Sequence, residues 1–311
     1  MKAGGSVGAA GNRHGIAGHV CLAVTPFADD GTVDIPSLRS LLDHLIEGGA
    51  DGVVVLGSTG EFFSLLPEEK AAVVEAAAVH CAGQVPVIAG VGAAGTEEAV
   101  RSTRHAADSG AAAVMVPPPF YAPGFFSTVA GMLQHFATVA AAGPTIEVML
   151  YDGGGGIDIP VEVTEQLARD HENVTMVKLT VPVPPKIGAI RKAGNDLRVL
   201  CGNDALTLYE LALGVDGVCI GVGNVLPEAV SATVHNYMAG NADEARRSFY
   251  ENVLPVASAA LSWTPRFVAL FKFALARIGV IASDRVRLPL TPLDAEHRVE
   301  AIGALQHVGA L

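Results

Sequence analysis

The chain of 311 residues contains little positive charge, with 20 Lys and Arg against 32 Asp and Glu and a net charge of −12. Proteins that bind DNA or RNA carry clustered Lys and Arg that contact phosphates. The sequence has no basic stripe of that kind. A nucleic-acid partner is therefore not expected, although a local positive site for a small anion is compatible with an acidic surface.

Cysteine is also scarce, and the four residues Cys21, Cys81, Cys201 and Cys219 lie far apart without a CxxC pair. This spacing favours buried free thiols over disulfides or a metal site. The ten histidines are scattered and have no metal-ligand spacing. We therefore expect no metal site.

Long apolar runs are absent too, since no stretch of roughly 18 apolar residues occurs that could span a membrane. Residues 1–16 are rich in Gly, Ala and Ser and lack the apolar segment of a signal peptide. We expect them to form a flexible tail. A cytoplasmic enzyme is the resulting prediction.

Aliphatic residues and glycine are abundant, with 50% hydrophobic residues, only 5% aromatic residues and 35 glycines. From residue 17 onward, short apolar runs alternate with amphipathic segments. Strands are predicted at His19–Val24, Gly52–Leu56, Val85–Ala89, Ala112–Val116, Ile146–Leu150, Val174–Lys178, Arg198–Leu200 and Gly217–Ile220. Helices are predicted at Ile35–Glu47, Pro67–His80, Thr96–Ser109, Phe125–Ala141, Val161–Asp170, Pro185–Lys192, Ala205–Ala212 and Pro227–Met238.

This alternation predicts an α/β protein with a parallel sheet and helical crossovers. The pairs can close into a (β/α)8 TIM barrel or form two doubly wound halves. No linker or composition shift divides the chain, which favours one barrel over residues 17–240. Residues 241–311 are predicted to be an appended helical extension, with a break at Pro289 and Pro292. In such a barrel the active site lies where the strands end.

Lys178 is the candidate nucleophile, because it alone among six lysines closes an apolar strand run. An amine desolvated at the barrel mouth is expected to have a lowered pKa, so that it can attack a ketone and form an imine. A salt-bridged lysine at a strand end is the alternative interpretation.

Three further strand ends carry candidate groups. The turn Gly57–Glu61 contains two hydroxyl residues between glycines, and such a turn can bind a carboxylate through its backbone N–H groups, although plain turns of this kind are common. Tyr151 closes the fifth strand and can transfer a proton, unless it is a buried structural tyrosine. Tyr121 follows a proline-rich run, where it is either a site residue or a surface aromatic.

The segment Gly90–Gly95 follows a strand and precedes a helix, as a dinucleotide-binding loop does. That loop also requires an acidic residue at the end of the next strand. Here the next strand ends in Val116, Pro117 and Pro118. Nucleotide binding is therefore not predicted.

The candidate residues belong to an ordered set of segments: Thr25-Pro26-Phe27, Gly57-Ser58-Thr59-Gly60-Glu61, Tyr121, Tyr151, Lys178, Gly202-Asn203-Asp204 and Leu288-Pro289-Leu290-Thr291-Pro292-Leu293. Over about residues 16 to 310, this set resembles the dihydrodipicolinate synthase / N-acetylneuraminate lyase family of class I aldolases. The resemblance implies a lyase or aldolase that makes or breaks a C–C bond between pyruvate, or a similar 2-oxo acid, and an aldehyde.

The resemblance also implies roles for individual residues. Lys178 would form the imine, and Tyr151 would shuttle protons in a relay with Ser58 and Tyr121, the latter from a neighbouring subunit. The 2-oxo acid would be bound by Gly57, Ser58, Thr59 and Ile220. A homotetramer built as a dimer of dimers is implied, with no metal or organic cofactor.

The sequence departs from the synthases after the catalytic tyrosine. Asp152 replaces an asparagine, and the position of the arginine that holds the aldehyde carboxylate falls at Gly156. Leu179-Thr180-Val181 also differ from the usual residues after the lysine. These departures favour an aldehyde other than aspartate semialdehyde. Dehydration of a deoxy sugar acid by the same imine chemistry, and a non-catalytic barrel that binds a 2-oxo acid, are the two alternatives.

Overall fold

A computed structural model of the chain describes residues 15–121, 128–180, 183–192, 196–262 and 266–311. Its strands are β1 Gly18–Leu22, β2 Gly52–Val55, β3 Val87–Gly90, β4 Ala113–Val116, β5 Glu147–Asp152, β6 Val174–Leu179, β7 Arg198–Cys201 and β8 Gly217–Ile220. They are parallel and close into a barrel in chain order, with β1 paired to both β2 and β8. The predicted TIM barrel is confirmed, and the alternative of two doubly wound halves is wrong.

The helices between the strands cover the barrel. They are α1 Ile35–Glu47, α2 Pro67–Cys81, α3 Thr96–Asp108, α4 Val129–Ala142, α5 Val161–Asp170, α6 Pro184–Lys192, α7 Thr207–Ala212 and α8 Pro227–Met238. Local sequence accounts for several starts: the Asp34 carboxylate accepts a hydrogen bond from the Ser37 backbone N–H at 3.0 Å, and proline opens α2 and α8.

Some predicted boundaries were wrong. The helix expected from Ala205 begins at Thr207, because a short 3₁₀ turn, Asp204–Leu206, comes first. The helix expected from Phe125 begins at Val129, and residues 125–127 lie outside the described residues. Strand β5 continues through Asp152, so Tyr151 lies within the strand.

The C-terminal extension consists of α9 Ala242–Ser248, a π-helical turn, α10 Leu254–Ser262, α11 Phe267–Arg277 and α12 Ala295–His307. Helix α11 is almost entirely buried and packs against the loop that follows β8. Pro289 and Pro292 lie in the segment between α11 and α12, where a break was expected. The division between barrel and extension at residue 240 stays a prediction, and most of the predicted tail, residues 1–14, lies outside the described part of the chain.

The alternation of side chains along the strands separates two apolar cores. The larger core lies between the strands and the surrounding helices. The smaller one contains residues spaced by two, such as Met149 and Tyr151 on β5 and Met176 on β6, and fills the barrel interior. Lys178 follows Met176 by two positions, so the same alternation turns its side chain into the barrel.

The structure gives the state of the cysteines and shows where metal ligands and long apolar helices are lacking among the described residues. The four cysteines are buried free thiols. Among the described residues, no group of three or more His, Cys, Asp or Glu side chains could hold a metal ion. No helix in the same part of the chain is long and apolar enough to cross a membrane.

Candidate active site

The site is built around Tyr151 and Lys178, which are paired in register on the neighbouring strands β5 and β6. The Lys178 Nζ lies 3.9 Å from the centroid of the Tyr151 ring. Lys178 is 2% exposed and Tyr151 is 8% exposed. The amine therefore lies inside the barrel against the phenol ring.

The space for Lys178 depends on Gly202, the residue that follows β7. A Cβ atom at position 202 would lie 2.6 Å from Lys178 Cε and 3.2 Å from its Nζ. Heavy atoms at 2.6 Å overlap strongly, so any larger residue would displace the lysine. This glycine belongs to the Gly202-Asn203-Asp204 turn noted in the sequence.

The pKa of Lys178 is shifted in the direction opposite to the one expected from the sequence. Burial by itself lowers the pKa of Lys178, but interactions with Tyr151, Cys219 and Asp204 outweigh it, so the pKa of the amine is raised. The charge of Lys178 is the largest cause that lowers the pKa of Tyr151. The predicted lowered lysine pKa is wrong, because apolar burial was considered without the polar groups that the closed barrel brings to the amine.

Ser58 lies in the turn after β2 and contacts the same phenol. Polar interactions with Ser58 and Thr180 contribute to the lowered pKa of Tyr151. The turn is closed by backbone hydrogen bonds, including one from Glu61 N–H to the Ser58 carbonyl at 3.1 Å. Leu56 and Glu61, on either side of the four central residues, have φ angles of 60° and 54°. Such values strain residues with side chains, so the surrounding structure must hold this turn in place.

A cavity of about 350 Å³ opens above Ser58 and Tyr151. No charged side chain is among its described lining residues, which are Leu56, Gly57, Ser58, Phe62, Phe63, Gly90, Gly92, Met115, Pro117, Phe120, Tyr151 and Gly154. The wall is mostly apolar and aromatic. The polar groups at its floor are the hydroxyls of Ser58 and Tyr151.

Three other candidate residues lie apart from this cavity. Thr59 and Ile220 are buried, at 3% and 0% exposure, and neither lines the cavity. Tyr121 is 77% exposed, so its side chain projects from the surface of its own chain. The geometry therefore brings together Lys178 and Tyr151 with the nearby turn residue Ser58.

The loop after Tyr151 has a structure of its own. Asp152 is buried, accepts a hydrogen bond from Ile159 N–H at 3.0 Å and pairs with Lys186 Nζ at 2.5 Å. Gly154 must be a glycine, because its Cβ would lie 2.9 Å from Pro117 and 3.0 Å from the Tyr151 ring. Gly156 has a φ angle of 79° and open space around it. Of these two glycines, only Gly154 lines the cavity, and Gly156 places no side chain at the position where an arginine was considered.

Lys186 and Arg266 are two cations that could replace an arginine at position 156, but neither lines the cavity. Lys186 is bound by Asp152, with Asp158 at 3.5 Å. Arg266 forms an ion pair with Asp294 at 3.1 Å, at the start of α12.

Two of the three glycines of the Gly90–Gly95 segment, Gly90 and Gly92, are required by close packing. A Cβ atom at Gly90 would lie 2.1 Å from the Leu56 carbonyl oxygen, and one at Gly92 would lie 2.8 Å from the Phe62 ring. These glycines therefore let β3 and its loop approach the strained turn after β2.

Comparison with known proteins agrees with the geometry. The sequence profile of the dihydrodipicolinate synthetase family matches residues 16–308. The chain belongs to this family. It is 34% identical over 295 residues to the 4-hydroxy-tetrahydrodipicolinate synthase of Xanthomonas campestris, with 92% of each chain covered.

Solved structures of the family have the same fold. The dihydrodipicolinate synthase of Aquifex aeolicus is 32% identical with a TM-score of 0.87, and the match covers 94% of this chain and 97% of that one. YagE, a prophage protein of Escherichia coli K12 crystallised in complex with pyruvate, is 29% identical with a TM-score of 0.88 and covers 95% and 99%.

Membership identifies this protein as a class I lyase or aldolase of the Schiff-base type that acts with pyruvate. The doubt about synthase activity is not supported by the relatives, which are named 4-hydroxy-tetrahydrodipicolinate synthase. The residues Asp152 and Gly156, on which that doubt depended, are those of this member of the family.

Two acids near the lysine, the half-buried Asp204 and the buried Glu210, were not singled out as site residues from the sequence. Asp204 Oδ1 accepts hydrogen bonds from the backbone N–H groups of Gly221, at 2.9 Å, and Val222, and burial raises its pKa. Glu210 accepts one from Asn203 N–H at 3.0 Å, and burial raises its pKa to about 8. Glu210 lies on α7 and carried no sequence signal, since an isolated Glu on a short helix is usually exposed.

Proposed function

We propose that this member of the family makes or breaks a C–C bond between pyruvate, or a similar 2-oxo acid, and an aldehyde through an imine at Lys178. The observation that supports this most is the contact between the Lys178 amine and the Tyr151 phenol, with the Ser58 hydroxyl beside the phenol. Simple binding of a 2-oxo acid needs no such proton-transfer pair. This argues against a barrel that only binds its ligand.

The protonation of the pair suggests the first step. The lowered pKa of Tyr151 favours its phenolate, which accepts a proton from the Lys178 ammonium when the ketone is in place to capture the free amine. The amine attacks the ketone carbon to give a carbinolamine. Tyr151 then returns its proton to the carbinolamine oxygen, and water leaves as the imine forms, so that Tyr151 is again a phenolate. Because the Lys178 side chain is 2% exposed, Tyr151 or Lys178 must turn for the ketone to reach Nζ.

In the cleavage direction the imine accepts the electron pair of the C–C bond that breaks, and an enamine remains on Lys178. Tyr151 accepts the proton from the departing hydroxyl, which becomes the aldehyde. The enamine is then protonated at carbon and hydrolysed to the 2-oxo acid. No metal or organic cofactor takes part in these steps.

Borohydride trapping tests this proposal. Incubation with pyruvate and borohydride is expected to reduce the imine and add the mass of the reduced pyruvyl group at Lys178, located by peptide mass spectrometry. Lys178→Met should give no adduct, whereas Lys192→Met, which changes the exposed last residue of α6, should label as the unmodified protein does. Absence of an adduct in the unmodified protein would contradict the proposal.

For the aldehyde, we propose a molecule without a carboxylate. The support is the uncharged lining of the cavity, Gly156 in place of the arginine, and the ion pairs that hold Lys186 and Arg266. The names of the curated relatives point instead to aspartate semialdehyde. A panel of aldehydes with pyruvate, followed by product analysis, separates the two: a higher kcat/KM for aspartate semialdehyde than for uncharged aldehydes would contradict our proposal.

The same panel should include deoxy sugar acids. A dehydratase acting through the imine would release water without giving pyruvate and an aldehyde, so the products distinguish dehydration from C–C bond cleavage.

We further propose that a second copy of the chain completes the site with its own Tyr121. The support is the exposure of Tyr121, which directly follows Phe120 in the chain, together with the exposure of Phe120 and Phe63, at 46% and 44%, in the lining of the cavity. A homotetramer built from pairs of dimers would place such residues at an interface.

A further inference from the structure

The turn that contains Ser58 is held by the C-terminal extension through a buried carboxylate. Glu61, the last residue of the turn, is fully buried. Its Oε1 pairs with Lys272 Nζ from α11, and its Oε2 accepts a hydrogen bond from the Arg287 backbone N–H at 2.9 Å. Both oxygens of the carboxylate are therefore bound by residues of the extension.

The side chains of Lys272 and Arg287 both pack against the ring of Phe27. The Phe27 ring lies beneath Lys272 Nζ, 3.9 Å from the ring centroid, and beneath the Arg287 guanidinium, at 4.4 Å. Lys272 Nζ also donates to the Arg285 carbonyl at 2.9 Å. The lysine is 0% exposed, so its position is fully determined by these contacts.

The Arg287 side chain extends the same attachment to the start of α2. Its guanidinium binds both Glu69 carboxylate oxygens at 2.6 Å and donates to the Ser64 carbonyl at 3.1 Å. In the first loop, the Thr25 hydroxyl donates to the Gly60 carbonyl at 2.7 Å. The extension and the first loop thus hold the turn on both sides of Glu61.

This attachment keeps the turn in a strained backbone conformation. Leu56 and Glu61 are both in the left-handed region, which is unfavourable for residues with side chains. Release of Glu61 would let the turn relax, and the Ser58 hydroxyl and neighbouring backbone N–H groups would move away from the cavity floor. A shift of about 1 Å in a binding group is enough to weaken its function strongly.

We infer that Lys272 and Glu61 are positioning residues for substrate: the C-terminal extension, acting through their buried ion pair, holds the Gly57–Glu61 turn in the conformation that binds the 2-oxo acid carboxylate. This inference depends on the proposed function. It assigns the extension a part in substrate binding, whereas Lys178 and Tyr151 carry the chemistry.

The test measures the pyruvate concentration that gives half-maximal borohydride trapping, together with the trapping rate at saturation. Lys272→Met and Glu61→Gln each remove one charge of the pair. Both are expected to raise the half-saturating concentration about tenfold or more while the rate at saturation changes much less. Lys272→Arg, which keeps the charge, should recover part of the affinity.

The control is Arg298→Gln, which breaks the ion pair of Arg298 with Asp284 at 2.7 Å on the same extension without touching the turn. It should leave half-saturation unchanged even if it lowers the Tm. The double variant Glu61→Leu/Lys272→Met replaces the pair by apolar groups of similar size, which can restore stability. Positioning predicts that its affinity stays low although the protein is folded.

The outcomes separate this inference from the proposed function. If the unmodified protein forms no adduct, the proposed function fails. If the unmodified protein traps pyruvate and the folded variants bind it with unchanged half-saturation, the positioning role is overturned. The role is overturned equally if affinity simply follows Tm across all variants, or if neither single variant nor the double variant folds.

Discussion

Tyr151 and Lys178 are register partners on neighbouring parallel strands, and the lysine amine lies against the face of the phenol ring. Each raises the preference of the other for its charged form: the pKa of the amine is raised and that of the phenol is lowered. The contact therefore favours the ammonium together with the phenolate before any substrate is bound, and the proton moves when the ketone captures the free amine.

Removal of the phenol oxygen tests that exchange. Tyr151→Phe keeps the ring against the amine but removes the proton acceptor, and the loss of a general acid–base group lowers rates by about 10² to 10⁴. We expect kcat and the rate of adduct formation to fall in that range. Tyr250→Phe, a change at an exposed position of the extension, is the matched control. A folded Tyr151→Phe variant with an undiminished rate would show that the phenol is not the proton carrier.

The close approach of Lys178 to Gly202 predicts that a side chain at position 202 impairs adduct formation. Gly202→Ala places a Cβ atom 2.6 Å from Lys178 Cε, so the lysine must move away from Tyr151. We expect adduct formation to fall by about tenfold or more, since small misplacements of a nucleophile are costly. Gly188→Ala, on α6 with open space around its Cβ, should leave trapping unchanged. Equal trapping by the two variants would mean that the lysine tolerates displacement.

The raised pKa of Glu210 predicts that the stability of the protein depends on pH. Burial raises its pKa to about 8 in the folded protein from the ordinary value of 4.5, so between these values the folded state holds a proton that the unfolded state has lost. Stability from this group is complete below about pH 4.5 and is lost as the pH rises towards 8, by up to about 1.4 kcal/mol per pH unit.

Glu210→Gln keeps an acceptor for Asn203 but cannot ionise. Denaturant unfolding of both proteins at several pH values should therefore show Glu210→Gln gaining stability relative to the unmodified protein from pH 5 to pH 8. A difference in unfolding free energy that does not change with pH would refute the buried, protonated carboxyl.

The pair of Asp152 and Lys186 predicts coupling in the loop after the catalytic strand. The contact is 2.5 Å, Asp152 is buried and Lys186 is largely buried, so loss of one partner leaves the other charge uncompensated. A double-mutant cycle with Asp152→Asn and Lys186→Met should give a coupling energy of about 1–3 kcal/mol in chemical unfolding. Strictly additive single effects would mean that solvent compensates the lone charge.

Mixing of inactive variants tests the contribution of Tyr121 from a second subunit. Tyr121→Phe and Lys178→Met should each have low activity alone. If subunits exchange and Tyr121 acts across an interface, mixed oligomers contain sites with a native Lys178 and a native partner Tyr121, so the mixture should regain measurable activity. Absence of recovery, with subunit exchange verified by mass spectrometry, would place Tyr121 outside the reaction.

Much of the fold follows from local pattern. Strand β8 and helices α1, α5 and α8 were predicted with their observed bounds, because apolar runs and periodic apolar positions identify buried elements directly. Boundaries failed where a short 3₁₀ turn precedes α7 and where β5 extends through Asp152, since hydrogen bonds to neighbouring strands decide where a strand ends.

The sequence by itself determined the order of strands and helices, the barrel, and the strand-end positions of Lys178 and Tyr151, because these depend on residues close together along the chain. Only the tertiary structure decided the protonation of the lysine, the ion pairs that hold Lys186 and Arg266, and the attachment of Glu61 to Lys272. Charges and burial act through space, and barrel closure brings together groups whose separation along the chain conceals their contact.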